Sequence, residues 1–152
     1  MKFIADVHLG KLAKLLRMLG FDTLYNNSLT NSELISIALQ QNRILLSRNA
    51  AINNDKTQLQ SFCISSENPE SQLQQVLQNF NLKEHIHPFT RCIACNGMLQ
   101  PVSKDDILLQ LPQNIRLYFN EFWQCNNCNH IYWKGSHYER MNRLIETLTM
   151  KL

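Results

Sequence analysis

The chain has 152 residues, 44% apolar and 18% charged, with only four glycines and four prolines. At ~100–200 residues per domain this is one domain, or one with a small appendage, which excludes a large multidomain machine, a collagenous chain and a broadly disordered one. The net charge is +3, with Lys plus Arg against Asp plus Glu running 8 to 7 over residues 1–90 and 7 to 5 over residues 91–152, so any nucleic-acid surface must come from local clustering rather than a basic tail.

Phe3-Ile4-Ala5 reads as a short buried strand ending at Asp6, a carboxylate reached too soon for a signal peptide. No run of ~18 apolar residues follows anywhere, so a cytoplasmic chain without a membrane partner is expected. Leu9, Leu12, Ala13, Leu16 and Leu19 recur at helical spacing, closed by Gly20. Phe21 to Tyr25 is a second strand candidate. Thr30-Asn31-Ser32-Glu33 spells a capping box opening a helix through Leu34, Ile37 and Ala38. Ile44-Leu45-Leu46-Ser47 is a third strand, and Asp55 falls in a solvated loop after it. Phe62-Cys63-Ile64-Ser65 is a fourth strand, with Cys63 read as a buried thiol. Asn68-Pro69 then caps a helix carrying Leu73, Val76, Leu77 and Phe80. Strands alternating with helices imply an α/β fold with a mostly parallel sheet flanked by helices.

Composition changes near His85-Ile86-His87-Pro88, which divides the chain into residues 1–88 and 89–152. The second part holds strand candidates Glu121–Gln124 and His130–Trp133. Its last helix starts at Ser136 with Glu139 three residues on, a second capping box, and shows the face Tyr138, Met141, Leu144, Ile145 and Leu148. Cys92-Ile93-Ala94-Cys95 and Cys125-Asn126-Asn127-Cys128 are two CxxC knuckles 29 residues apart, the all-cysteine set of a structural Zn2+ site. Disulfides and an iron–sulfur cluster are the competing readings, the former disfavoured in a reducing compartment. His130 reads as a strand residue, since a fourth thiolate leaves it no ligand position.

Asp6 stands at the carboxyl end of a strand, where sheets of this class gather ligands. The run from Asp6-Val7-His8-Leu9-Gly10 through Leu19-Gly20-Phe21-Asp22-Thr23 resembles the opening of the Mut-seven C-terminal ribonuclease family, PIN-like domains with an appended zinc ribbon. The likeness continues through Arg43-Ile44-Leu45-Leu46-Ser47-Arg48-Asn49, Gln72-Leu73, both knuckles, Phe122-Trp123-Gln124-Cys125 and Tyr132-Trp133-Lys134-Gly135-Ser136-His137, so it spans almost the whole chain. The resemblance implies a PIN-like domain over residues 1–88 and a zinc ribbon with a C-terminal helix over 89–152. It also implies a ribonuclease in which carboxylates hold Mg2+ or Mn2+ against an RNA phosphodiester.

Asp6 matches the family's first acid. Asn49 stands where the family has Asp in Thr-Arg-Asp, and Asn31 and Ser32 stand near another expected acid, so the divalent site loses negative charge. Glu33, otherwise explained by its capping box, and Asp22, otherwise a strand-start residue, are the acids that could compensate. The alternative function is therefore an RNA-binding or regulatory module with a decayed nuclease site. Phosphate-binding candidates are Lys11, Lys14 and Arg17, spaced by three along the first helix, with Arg48 near the strand ends and Lys134 and His137 in the ribbon. Seven of the thirteen aromatics fall between Tyr118 and Tyr138, which can seal a small ribbon or stack on bases.

Overall fold

The computed structural model describes residues 1–54 and 58–151, so Asp55 lies outside the described residues. The elements of the first part are β1 (Lys2–Ala5), α1 (Gly10–Met18), β2 (Asp22–Leu24), α2 (Asn31–Gln41), β3 (Ile44–Ser47), β4 (Ser61–Cys63) and α3 (Pro69–Asn79). β1 to β4 form a parallel sheet in the order β2-β1-β3-β4, with Lys2 opposite Asp22, Phe3 opposite Ile44 and Ser47 opposite Cys63. The fourth strand begins one residue before the expected run and ends before Ile64.

The period-two alternation of the central strands divides the core. Phe3, Ala5, Ile44 and Leu46 face α1 and α3, where they bury Leu12, Leu16, Leu73, Val76 and Leu77. Ile4 and Leu45 face the opposite way and bury Leu34 and Ala38 of α2. Between the exposed Lys2 that starts β1 and the buried Ser47 that ends β3, both central strands are apolar, as expected of a parallel sheet covered on both sides.

The second part holds β5 (Leu99–Val102), α4 (Lys104–Ile107), α5 (Gln113–Tyr118), β6 (Phe122–Cys125), β7 (Ile131–Tyr132) and α6 (Ser136–Met150). β5, β6 and β7 make an antiparallel sheet over a small core of Ile107, Leu111 and Phe122. α6 does not stay with this ribbon: Leu148 is buried in the core of the parallel sheet, with Leu144 and Ile145 packed against it. Its N-terminus corrects one expectation. Gly135, not Ser136, is the N-cap, and no side chain caps the helix. Gly135 lies so close to Trp133 that a Cβ there would stand 2.9 Å from the indole Nε1, and this packing fixes the helix start instead of a Ser–Glu box. No helix of the described residues is long and apolar enough to cross a membrane.

Candidate functional site

The sheet changes winding direction between β1 and β3, because the connection from β1 leads to β2 on one side and the chain then crosses to β3 on the other. The crevice outside the carboxyl ends of two such strands is where open α/β sheets bind ligands. Asp6 occupies it, 5% exposed. Its N–H continues the β1–β3 ladder to Leu46 O at 3.0 Å. Its carboxylate accepts from the His8 N–H at Oδ1 (2.9 Å), and from the Ser47 hydroxyl (2.7 Å) and Arg48 N–H (3.3 Å) at Oδ2. Ser47, to which the sequence reading gave no role, is thus the residue that fixes the acid. It also accepts from the Asn49 N–H at 3.0 Å.

Asn49 is exposed and its side-chain oxygen accepts from the Ala51 N–H at 3.0 Å, capping the turn that follows β3. Glu33 closes its capping box through Oε2, accepting from the Thr30 N–H at 2.7 Å and the Thr30 hydroxyl at 2.9 Å. Those hydrogen bonds hold its carboxyl below the usual carboxylate range. Asn31 and Ser32 are exposed on the first turn of the same helix. Among the described residues Asp6 belongs to no group of three or more metal-ligating side chains. For Mg2+ or Mn2+, one carboxylate meets the minimum a protein supplies when a substrate phosphate and water complete the shell.

Asp22 lies apart from the Asp6 corner. It starts β2, at the amino end of the sheet, whereas Asp6 follows the carboxyl end of β1, the parallel neighbour. Its Oδ1 accepts from Arg43 Nη1 at 2.7 Å and from Asn96 Nδ2 at 2.8 Å, and Arg91 lies 3.6 Å from Oδ2. Arg17 is buried, donating to Thr23 O (2.9 Å), Ile93 O (3.0 Å) and Ala94 O (3.2 Å). Both residues clamp the first knuckle to the parallel sheet, and Asn96 completes the clamp by accepting the Thr23 N–H at 2.9 Å.

The four cysteines form one cluster, with all sulfurs within 4.8 Å of one another, Cys92 to Cys128 at 3.6 Å and Cys95 to Cys125 at 3.4 Å. A tetrahedron with Zn–S bonds of ~2.3 Å has sulfur–sulfur edges of ~3.8 Å, so the donor set fits a metal ion such as zinc. The two knuckles are built alike. Asn96 (φ 70°) and Asn129 (φ 63°) follow the second cysteine of each in the left-handed region, where asparagine is one of the few tolerated side chains. Backbone N–H groups of Gly97 and Asn127 point at Cys95 Sγ and Cys125 Sγ, both at 3.4 Å. A Cβ at Gly97 would stand 2.7 Å from Cys125 Sγ, so this position has no room for a side chain.

Burial opposes ionisation of Cys95, yet donors from Asn127 and Gly97 and the neighbouring thiols outweigh it and bring its pKa down to about 6. Desolvation and the other thiols push Cys128 up to about 12. A coordinated metal ion would deprotonate the cysteines that hold it. Among the described residues His130 is outside this cluster.

Residues 1–145 match the family described as Mut7-C RNAse domain. The chain belongs to the Mut7-C RNAse domain family. No curated protein and no solved structure matches it.

In this Mut7-C domain Lys11 and Lys14 are exposed on α1 and border a groove with Asn68, Pro69 and Glu70. Arg48 is partly exposed beside the Asp6 corner and pairs loosely with Glu67 at 3.3 Å. Lys134 lies 5.6 Å from the Trp123 ring centre and 5.7 Å from that of Tyr138, with Glu121 3.8 Å away. His137 is exposed on the first turn of α6. Lys14 and His137 line one cavity together, whereas Arg48 and Lys134 are not among the residues that line it. Tyr132, unremarked in the sequence except as an aromatic, caps the first knuckle. Its hydroxyl accepts from the Ile93 N–H at 3.1 Å and lies 3.1 Å from Cys92 Sγ, and burial with that thiol raises its pKa.

Proposed function

We propose that this chain acts on RNA as a ribonuclease of low turnover, working from the Asp6 corner of the sheet. The observation that carries the reading is the position of Asp6 outside the carboxyl ends of β1 and β3, where the strand order reverses. Asp6 is the residue that would hold Mg2+ or Mn2+, with Asn49 as a neutral neighbour. Such an ion supplies a more acidic bound water and positive charge against a phosphodiester. Ser47 and the His8 and Arg48 N–H groups hold the Asp6 carboxylate in one orientation. The Arg48 guanidinium forks onto a phosphate by leaving Glu67, a partner worth little at this exposure. Lys11, Lys14, Lys134 and His137 extend the phosphate track. Residues 1–88 form the PIN-like unit, and residues 89–152 the ribbon and last helix. One structural Zn2+ sits on Cys92, Cys95, Cys125 and Cys128, with no open position for chemistry. Cysteines held as metal ligands and a thiol, with no disulfide among the described residues, suit the cytoplasm.

The single carboxylate makes metal binding weak until RNA supplies phosphate oxygens, so cleavage needs high divalent concentration. A second reading, an RNA-binding module that does not cleave, is favoured by the engagement of the Asn49 side-chain oxygen with Ala51. Cleavage of single-stranded RNA across a Mn2+ series separates the two. The expected result is slow cleavage at high Mn2+, lost in Asp6→Ala and in the shape-preserving Asp6→Asn, and raised together with metal affinity in Asn49→Asp. Robust cleavage at low Mn2+ that survives Asp6→Asn refutes the site. RNA binding without cleavage even in Asn49→Asp establishes the module.

A further inference from the structure

A cavity of about 750 Å3 opens between the first knuckle, α5, β7 and the start of α6. We propose that it is a pocket for one unpaired base of single-stranded RNA, an assignment that rests on the RNA reading above and gives it a substrate class. The volume lies within the ~300–1,000 Å3 of ordinary ligand sites. Its walls are mainly apolar and aromatic, with Ile93, Ile115, Phe119 and Trp133 among them, and Lys14 and His137 are basic residues of its lining. Among the described residues no acidic side chain lines it. Aromatic faces with the Lys14 ammonium, a ring N–H donor at His137 and no carboxylate match a flat π-system attached to a phosphate, whereas an apolar peptide would leave Lys14 without a partner.

Two further features fit that occupant. Gly135 also lines the cavity, against the indole of Trp133 and with Phe119 Cζ 3.9 Å from where its Cβ would be, so the absence of a side chain keeps both rings accessible from this side. Lys14 lies four residues after Gly10, ~6 Å along α1. The residue before that helix, Leu9, donates its N–H to Asp6 O at 3.0 Å. The cavity and the Asp6 corner are therefore served by the same helix, and a strand held by Lys11 and Lys14 connects them. A base in a duplex has both faces stacked on its neighbours and cannot enter, so the pocket selects single strands over duplex. Every base has a π face, so it reads no particular sequence.

Two measurements on full-length, zinc-loaded protein test this. Fluorescence anisotropy with a labelled oligouridine strand, and with the same strand in duplex, is compared for wild type, Phe119→Ala and Trp133→Leu, each first checked for unchanged unfolding midpoint. Wild type is expected to prefer the single strand, and each variant to bind it about tenfold more weakly with the salt dependence unchanged. Tryptophan emission is then titrated with uridine 5′-monophosphate and with ribose 5-phosphate. Only the base-bearing compound should quench, and Trp133→Leu should abolish the response. Undiminished oligouridine binding by both folded variants overturns the pocket while leaving the RNA reading intact, as does equal binding of duplex. Equal responses to the two small phosphates reduce the cavity to an anion site and also overturn it. No RNA binding by wild type overturns both readings.

Discussion

Replacing Asp22 by alanine tests whether this acid is a clamp or part of an RNA site. The carboxylate is 15% exposed and meets Arg43, 8% exposed, at 2.7 Å, so removal leaves a buried guanidinium without its counter-charge. Breaking such a pair costs ~3–5 kcal/mol. Arg43 keeps Phe3 O at 3.2 Å and the Gln41 side chain at 2.7 Å, which places the expected loss at the lower end, about 3 kcal/mol. For a chain of this length that lowers Tm by about 6–12 °C. Urea unfolding of zinc-loaded protein at neutral pH measures it. The pH dependence supplies an internal control. Burial alone would raise the Asp22 pKa, but hydrogen bonds from Arg43 and Asn96 and the charges of Arg43 and Arg91 hold it below the usual range. Stability from a depressed carboxyl is present above the unfolded value of ~3.9 and lost as pH falls through the lower folded value. The gap between wild type and Asp22→Ala should therefore close as the solution is acidified below about pH 4. Unchanged stability together with lost RNA binding would refute the clamp and return Asp22 to the functional site.

Metal analysis should find one zinc per chain, and Cys125→Ser should lose it together with the near-ultraviolet signal of Trp123 and Trp133, while the parallel sheet keeps its own core; a wild type without metal ends the zinc assignment. If Lys11, Lys14, Arg48 and Lys134 each meet a phosphate, log K for single-stranded RNA should fall against log salt with a slope of about −3, reduced by about 1.4 in the Lys11→Ala, Lys14→Ala double variant; a flat dependence removes the phosphate track. Gly20→Ala should destabilise by at least ~2 kcal/mol in thermal unfolding, because φ is +94° and the new Cβ would stand 2.2 Å from His87 O; a change under ~0.5 kcal/mol would contradict that geometry.

The parallel sheet was legible because each strand and helix announces itself locally, in apolar period and in caps such as Thr30 and Asn68 that the structure reproduces. The cysteine cluster was legible for the same reason: two short spacings carry it. Arg17 was misread through helix geometry. Each step of three residues falls ~60° short of a full turn, so Arg17 lies ~120° around α1 from Lys11, toward the knuckle and not beside the lysines. Asp22 was opaque because its partners, Arg43, Arg91 and Asn96, come from distant parts of the chain. β5 was missed because Pro101 interrupts its apolar pattern, a residue the strand tolerates at the edge of its sheet. The Asp6 corner was half legible: the acid was found from its strand end, but Ser47 gave no signal until its hydroxyl was seen on the carboxylate.

The return of α6 to the parallel sheet has a consequence for biosynthesis. Leu148 closes the same core that Phe3 opens, so the sheet is a unit interrupted in sequence by the ribbon. When Pro88 has been added, all four parallel strands exist, yet one wall of their core is missing. At ~5–20 residues per second the sixty residues to Leu148 take about 3–12 s. During that interval the apolar face over α1 and α3 is open to water, to chaperones and to other nascent chains. Both knuckles are made within it, so capture of a metal ion by the four cysteines and closure of the sheet fall in the same interval.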